Sequence, residues 1–293
     1  MWSLNKKTWL AVGCVVALAG VFPLRAQGQD DYNQILDRLD QPIWSGYVAY
    51  STRESVEKRG DFAVTEWGAH AGLFYFRTGL GDLDLQADVD MKIFLGSGGM
   101  DLPDEVGSLR LLFDYVARLD EGYSMRLRLR PGLYGELTSF DGNALYFPFG
   151  VAGLKSFGPN LAGLAGLNFY PGFDRLVVPE AGVRWSMSDM LLIDAFYPES
   201  KIIFRPSYNW ALLAGFAFPE FVEYRLADGD GRRSILLDET RMYIGAEYMW
   251  TDTLKVMLEA GRRVDRSIDF RKLEGKRNVD DALYLEISIG GML

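Results

Sequence analysis

One histidine and three runs of alternating charge hold most of the chemistry this chain could do. His70 stands in EWGAHAGLF, with Glu66 four residues before it. On an extended strand, side chains alternate between two faces. Glu66, Gly68, His70 and Gly72 therefore share one face, and Trp67, Ala69, Ala71 and Leu73 share the other. A lipid hydrolase built on this pair needs the imidazole polarised by an acid and set against a serine. No serine stands out as that partner, and no GxSxG occurs. A polar residue lining an interior is the more economical reading of both Glu66 and His70. With one His, and Cys14 as the one Cys, a zinc site would need mostly carboxylates. No metal, cofactor or catalytic residue is expected.

The charged runs are sharper. Asp84, Asp88 and Asp90 fall on one face of 82–95. Arg110, Asp114 and Arg118 fall on one face of 108–119, and Arg126, Arg128 and Arg130 on one face of 123–130. Neighbouring strands lie ~4.8 Å apart. An acidic ladder and a basic ladder then face each other across a mixed strand. Three adjacent arginines repel unless acids or water compensate them. Two readings follow. The ladders neutralise one another and stiffen a wall, or they set a transverse field in a water-filled channel. The glycine-rich GSGGMD (96–101) and ADGDGRR (227–233) lack the spacing of a phosphate loop and read as surface turns. The mixed-sign run 262–281 reads as a solvated loop.

The elements carrying these residues are strands. In 82–95, Leu83, Leu85, Ala87, Val89, Met91, Ile93 and Leu95 fall on one face, and Asp82, Asp84, Gln86, Asp88, Asp90 and Lys92 on the other. That period excludes a helix, and the run is longer than the usual soluble strand of about 5–6 residues. A membrane-spanning strand needs about 9–11 residues. Fourteen strands are expected, near 43–51, 62–76, 82–95, 108–119, 122–136, 142–153, 160–170, 178–187, 190–197, 201–206, 210–226, 237–249, 254–264 and 282–293. The weakest stretch is 142–206, so twelve is the alternative. Long polar links alternate with tight ones, as outer-membrane barrels require. Trp44, Tyr75, Tyr123, Trp185, Trp210 and Trp250 fall at the tight-link ends with the parity of the apolar face. That is the pattern of a membrane-interface girdle.

The 293 residues carry a net charge of −9. Residues 1–26 hold Lys6, Lys7 and Arg25, no acid, and an apolar run over 8–22. This reads as a cleaved secretory signal peptide. The rest has 28 basic against 40 acidic residues, or −12, which argues against nucleic acid as a partner. The loss of Cys14 with the leader excludes a disulfide scaffold. Residues 27–42 form a short periplasmic segment in which Tyr32, Ile35, Leu36 and Leu39 allow one amphipathic helix. Residues 43–293 form one domain. Only helices or closed barrels satisfy every backbone polar group in hydrocarbon. The expected fold is therefore all-β, a closed antiparallel transmembrane β-barrel with its charged face inward.

Over 165–217, the pieces LNFYPGFDRLVVPEAGVRWSMSD and MLLIDAFYPESKIIFRPSYNWALLAGFAF resemble a family of uncharacterised exported outer-membrane β-barrel proteins, a domain of unknown function. The resemblance implies fold and location and brings no catalytic residues. Many such barrels end in Phe or Trp as an assembly signal, whereas this chain ends in Leu293. The expected partners are the lipid bilayer, the outer-membrane assembly machinery and small polar solutes. The expected role is a porin-like channel or solute-binding barrel in a bacterial outer membrane. The alternatives are a non-conducting structural or surface-interaction barrel and a lipid-modifying enzyme.

Overall fold

The computed structural model describes residues 43–52, 54–56, 60–96, 102–119, 122–137, 144–218, 222–226, 234–271 and 275–291. The expected leader (1–26), the 27–42 segment with its helix, most of both glycine-rich loops and Leu293 lie outside these residues.

Fourteen antiparallel strands close into a barrel. They are β1 (Trp44–Ser51), β2 (Gly60–Arg77), β3 (Gly81–Leu95), β4 (Glu105–Arg118), β5 (Tyr123–Leu129), β6 (Phe149–Gly158) and β7 (Leu161–Phe169). They continue as β8 (Val177–Ser188), β9 (Leu191–Tyr197), β10 (Glu199–Ser207), β11 (Trp210–Ala217), β12 (Ser234–Thr251), β13 (Leu254–Arg271) and β14 (Ala282–Gly291). Each pairs with its predecessor, and β14 returns to β1 with Trp44 opposite Gly291 and Ser51 opposite Tyr284. At this seam the Trp44 indole rests directly over Gly291, where a Cβ would lie 2.1 Å from its nitrogen. No sheet edge remains along the wall.

One end of the barrel is made of tight turns. At 78–81 the Thr78 hydroxyl accepts from the Leu80 and Gly81 amides at 3.2 and 3.0 Å. At 188–191 the Ser188 hydroxyl accepts from the Met190 and Leu191 amides at 3.3 and 3.2 Å. These hydroxyls satisfy backbone donors that the ladder leaves over. The opposite end carries the longer links, except that Pro198 alone joins β9 to β10.

Apolar side chains point out along the wall. Ile244 is 67% exposed, Leu285 53% and Val48 52%, each alternating with an inward polar neighbour. A soluble sandwich would have buried them. This surface suits hydrocarbon, and the closed ladder pairs each wall strand with a neighbour on both sides.

Three segments differ from the expected pattern. Proline interrupts the expected strand 122–136: β5 stops at Leu129, Pro131 intervenes, and a short strand resumes at Gly132–Gly135. The expected strand 210–226 ends at Ala217, and Glu223–Arg225 forms a separate strand. The expected solvated loop 262–281 is mostly wall: β13 runs to Arg271, and Gly275–Val279 pairs back onto it. Asp265, with φ of 50°, marks a bulge there. The extra residue shifts the alternation by one and hides it from a period-two reading.

Inside the loop end sits a dry core. Phe62 and Val64 of β2, Phe94 of β3, Val106 of β4, Ile235 of β12 and Ile268 and Phe270 of β13 converge there with Tyr224. The Glu223–Arg225 strand pairs with β12 on one side and meets Gly135, an extension of β5, on the other. The Glu136 amide donates to the Arg225 carbonyl at 3.0 Å. This inward-folded segment thus ties together walls that are far apart around the barrel.

Candidate functional site: the charged lumen

Every lumenal ladder residue owes its direction to strand parity, and the register sets its partner. Asp88 stands opposite Arg110 across β3 and β4, and the two form an ion pair. Asp114 stands opposite Arg128, but its carboxylate takes Arg126 Nε at 2.8 and 2.9 Å. Arg128 bridges Asp114 at 3.7 Å and Glu180 of β8 at 3.4 Å. Arg118 holds both oxygens of Asp82 at 3.0 and 2.8 Å. Asp84 accepts from Gln86. Arg130 lies past the end of β5 and donates its backbone amide to the Pro148 carbonyl at 2.7 Å. Asp90 joins no arginine in an ion pair among the described contacts. It accepts from the Tyr47 hydroxyl and lies 3.5 Å from that of Tyr224.

Glu66 and His70 share the inner face of β2 without acting as a pair. Glu66 is buried, and its Oε1 lies 3.0 Å from Lys92 Nζ and 2.5 Å from Arg263 Nη1. The same Arg263 atom lies 3.3 Å from Glu239 Oε1, and Arg266 reaches Glu239 Oε2 at 3.3 Å. His70 has Ser45 and Asp88 as its cross-strand neighbours. Serine, histidine and aspartate thus stand in a row on three strands. No hydrogen bond joins them among the described residues, and Arg110 already occupies the aspartate. The row lacks the contacts that activate a nucleophile.

The aromatic residues divide. Trp44, Tyr123, Trp185, Trp210 and Trp250 lie on the outer face near the turn end, with Trp250 the most exposed at 69%. Tyr75 is a correction. A bulge between Gly72 and Phe74 inverts the parity of the last turn-end residues of β2. Phe74 and Phe76 point outward, and Tyr75 falls opposite Asp84 on the inner face.

Sequence reasoning missed the residues that matter most inside the tall part of the wall. Lys92 is the register partner of Glu66 on the next strand, whereas Arg263, with Glu239 and Arg266 beyond it, comes from β12 and β13, distant in the chain. The bidentate pair of Arg184 and Asp194 (2.6 and 2.9 Å) was also overlooked. A signal existed for the latter, since β8 and β9 are consecutive and a tight turn fixes their register. Arg263 keeps the inward parity of Lys255 and Glu259, but its partner Glu66 is 197 residues away in the chain.

A family model described as "Domain of unknown function (DUF6268)" matches residues 99–284. The chain belongs to that family. No curated protein matches by sequence. Among solved structures, the COG4313 outer membrane channel from Pseudomonas putida F1 is 12% identical, covering 90% of this chain and 100% of its own, with a TM-score of 0.47. The NanC porin is 8% identical over 85% and 100%, with a TM-score of 0.41. The KdgM porin is 10% identical over 84% and 99%, with a TM-score of 0.36.

Proposed function

We propose that the protein is a porin-like outer-membrane barrel that passes or binds small polar solutes through its charged lumen. One observation carries this reading. Acids and bases are turned inward onto one another and stay partly solvated, while the apolar side chains of the same strands point out. Arg126 and Asp114, for example, keep 30% and 15% side-chain exposure. A wet interior walled by fixed opposite charges orients polar solutes and rejects apolar ones. The lipid bilayer and the outer-membrane assembly machinery are then its partners, with export by the N-terminal leader and the tight turns facing the periplasm.

The dry core and the inward Glu223–Arg225 strand favour a second reading, a barrel closed at its loop end. Planar-bilayer recording of the refolded protein separates the two. Openings whose ion preference shifts when Arg126, Arg128 and Arg130 become Ser support the channel. Openings that appear or grow only after Tyr224→Ala with Arg225→Ala support a channel narrowed at its mouth. Silence in both proteins, with the barrel folded, overturns the channel reading in favour of the closed barrel.

A further inference from the structure

Among the described residues, β4, β5 and the continuation of β5 carry five inward arginines, and four of them hold an acid. Arg110 takes Asp88, Arg118 takes Asp82 at 2.8 Å, and Arg126 and Arg128 share Asp114. Arg128 also reaches Glu180 at 3.4 Å. Arg130 is the fifth. The register carries on through Pro131: the Leu111 amide donates to the Pro131 carbonyl at 2.9 Å, and Gly132 stands opposite Arg110. Arg130 therefore keeps the inward parity of Arg126 and Arg128, opposite Leu112. It is half-buried, and its guanidinium joins no carboxylate among the described residues.

The acids around it are already engaged. Asp88 belongs to Arg110, and Glu180 accepts from Asn168 at 3.2 Å besides Arg128. Asp84 stands opposite Asp114 and accepts from Gln86. On the other flank, β6 offers Gly150, Ala152 and Leu154 on its inner face, none of them charged. Arg128 lies ~7 Å away along the strand. Two guanidiniums on one face with so little acid between them repel, and half-burying that charge is costly unless something negative comes in. Tyr134, four residues further on the same face, packs with Tyr146 and Phe173 into a dry aromatic cluster. A solute moving along this wall meets Arg130 at the lip of that cluster.

The chemistry of the place selects what can fill it. A cation would be set against Arg128 and Arg130. A neutral solute would leave the charge as it is. A carboxylate matches the planar edge of a guanidinium through two parallel hydrogen bonds. With a single unspent guanidinium, one negative charge balances the site. We infer that Arg130 is the binding point for a small monocarboxylate in the lumen, with Arg128 adding to its field. The inference rests on the reading of the lumen as a path for polar solutes and gives that path a substrate class.

The test is planar-bilayer recording of the refolded full chain in a potassium chloride gradient, with gluconate as probe. Gluconate added at constant chloride should block the current saturably. Glucose and glucosamine, its neutral and cationic six-carbon counterparts, should not. Arg130→Gln should move the reversal potential toward cation preference and weaken the gluconate block roughly tenfold or more, the worth of one charged hydrogen-bonding contact. Arg130→Lys keeps the charge and loses the fork, so it should hold the reversal potential and weaken the block. Arg262→Gln, on the outer face beside Asp281, should change neither. Arg130→Gln loses no ion pair and should fold, which heat-dependent gel mobility reports; should it fail, Arg130→Lys carries the test. Openings that gluconate does not block, or a block and a reversal potential that Arg130→Gln leaves unchanged, overturn the site and leave the porin-like reading standing. A folded barrel that never opens overturns passage, and calorimetry with gluconate in detergent then decides the site. Saturable binding that is lost in Arg130→Gln supports it, and no saturable binding overturns it.

Discussion

The barrel has a tall half and a low half, and the same alternating pattern builds a different interior in each. β2, β12 and β13 each run for 18 residues, whereas β5 and β9 have seven. The tall strands exceed the ~9–11 residues a bilayer needs. Their surplus rises past the hydrocarbon and closes over the lumen, so inward residues there lose water and become either apolar (Phe62, Ile235, Ile268) or fully networked (Glu66 with Lys92 and Arg263). In the low half, inward charges form small clusters that keep part of their water, as Asp114 does with Arg126 and Arg128. Strand length, more than composition, decides whether an inward charge is structural or solvated.

The largest effect should come from the tall half. Glu66→Gln takes the carboxylate from Lys92 and leaves Arg263 with Glu239 alone in a buried site. Loss of about 3–5 kcal/mol is expected, since an uncompensated buried charge remains. Urea unfolding in lipid vesicles, followed by tryptophan fluorescence, reads it. A loss below about 1 kcal/mol, the range of exposed pairs, would erase the contrast between the halves. Ile235→Ala in the dry core should cost about 2–5 kcal/mol in the same assay. A small cost would show that the loop end is not packed.

Asp194→Asn tests the low half at its most buried point. The lost bidentate pair with Arg184 should cost about 1.5–3 kcal/mol. Asp114→Asn should cost the least, about 0.2–1 kcal/mol, the worth of a solvated cross-strand pair. Its signature is electrical instead. Freed from Asp114, Arg126 and Arg128 should shift single-channel preference toward anions. A large stability loss with unchanged preference would place this ladder with the structural group.

The wall was legible in the sequence because hydrocarbon enforces alternation strand by strand. The run from Leu83 to Leu95 needed no other information. The ladder residues were legible for the same reason: parity gives direction, and consecutive strands give neighbours. Legibility failed where one residue breaks the count. The bulge after Gly72 turned Tyr75 inward, and the bulge at Asp265 made a wall strand look like a polar loop. It failed again where partners are remote. Nothing near Glu66 in the chain announces Arg263, because the barrel's curvature and the tall wall bring them together. The apolar pattern of 210–226 makes Glu223–Arg225 the tail of β11, since periodicity says nothing about a strand that leaves the wall to cross a mouth.

The pairing of Trp44–Ser51 with Tyr284–Gly291 has a consequence for assembly. Until the final strand arrives, both margins of the growing sheet bear open amides and carbonyls that lipid cannot tolerate. A partly inserted chain therefore has no stable resting point short of completion. Whatever delivers the polypeptide must shelter the first strand's free flank for the whole interval and release it only when the last strand can take its place.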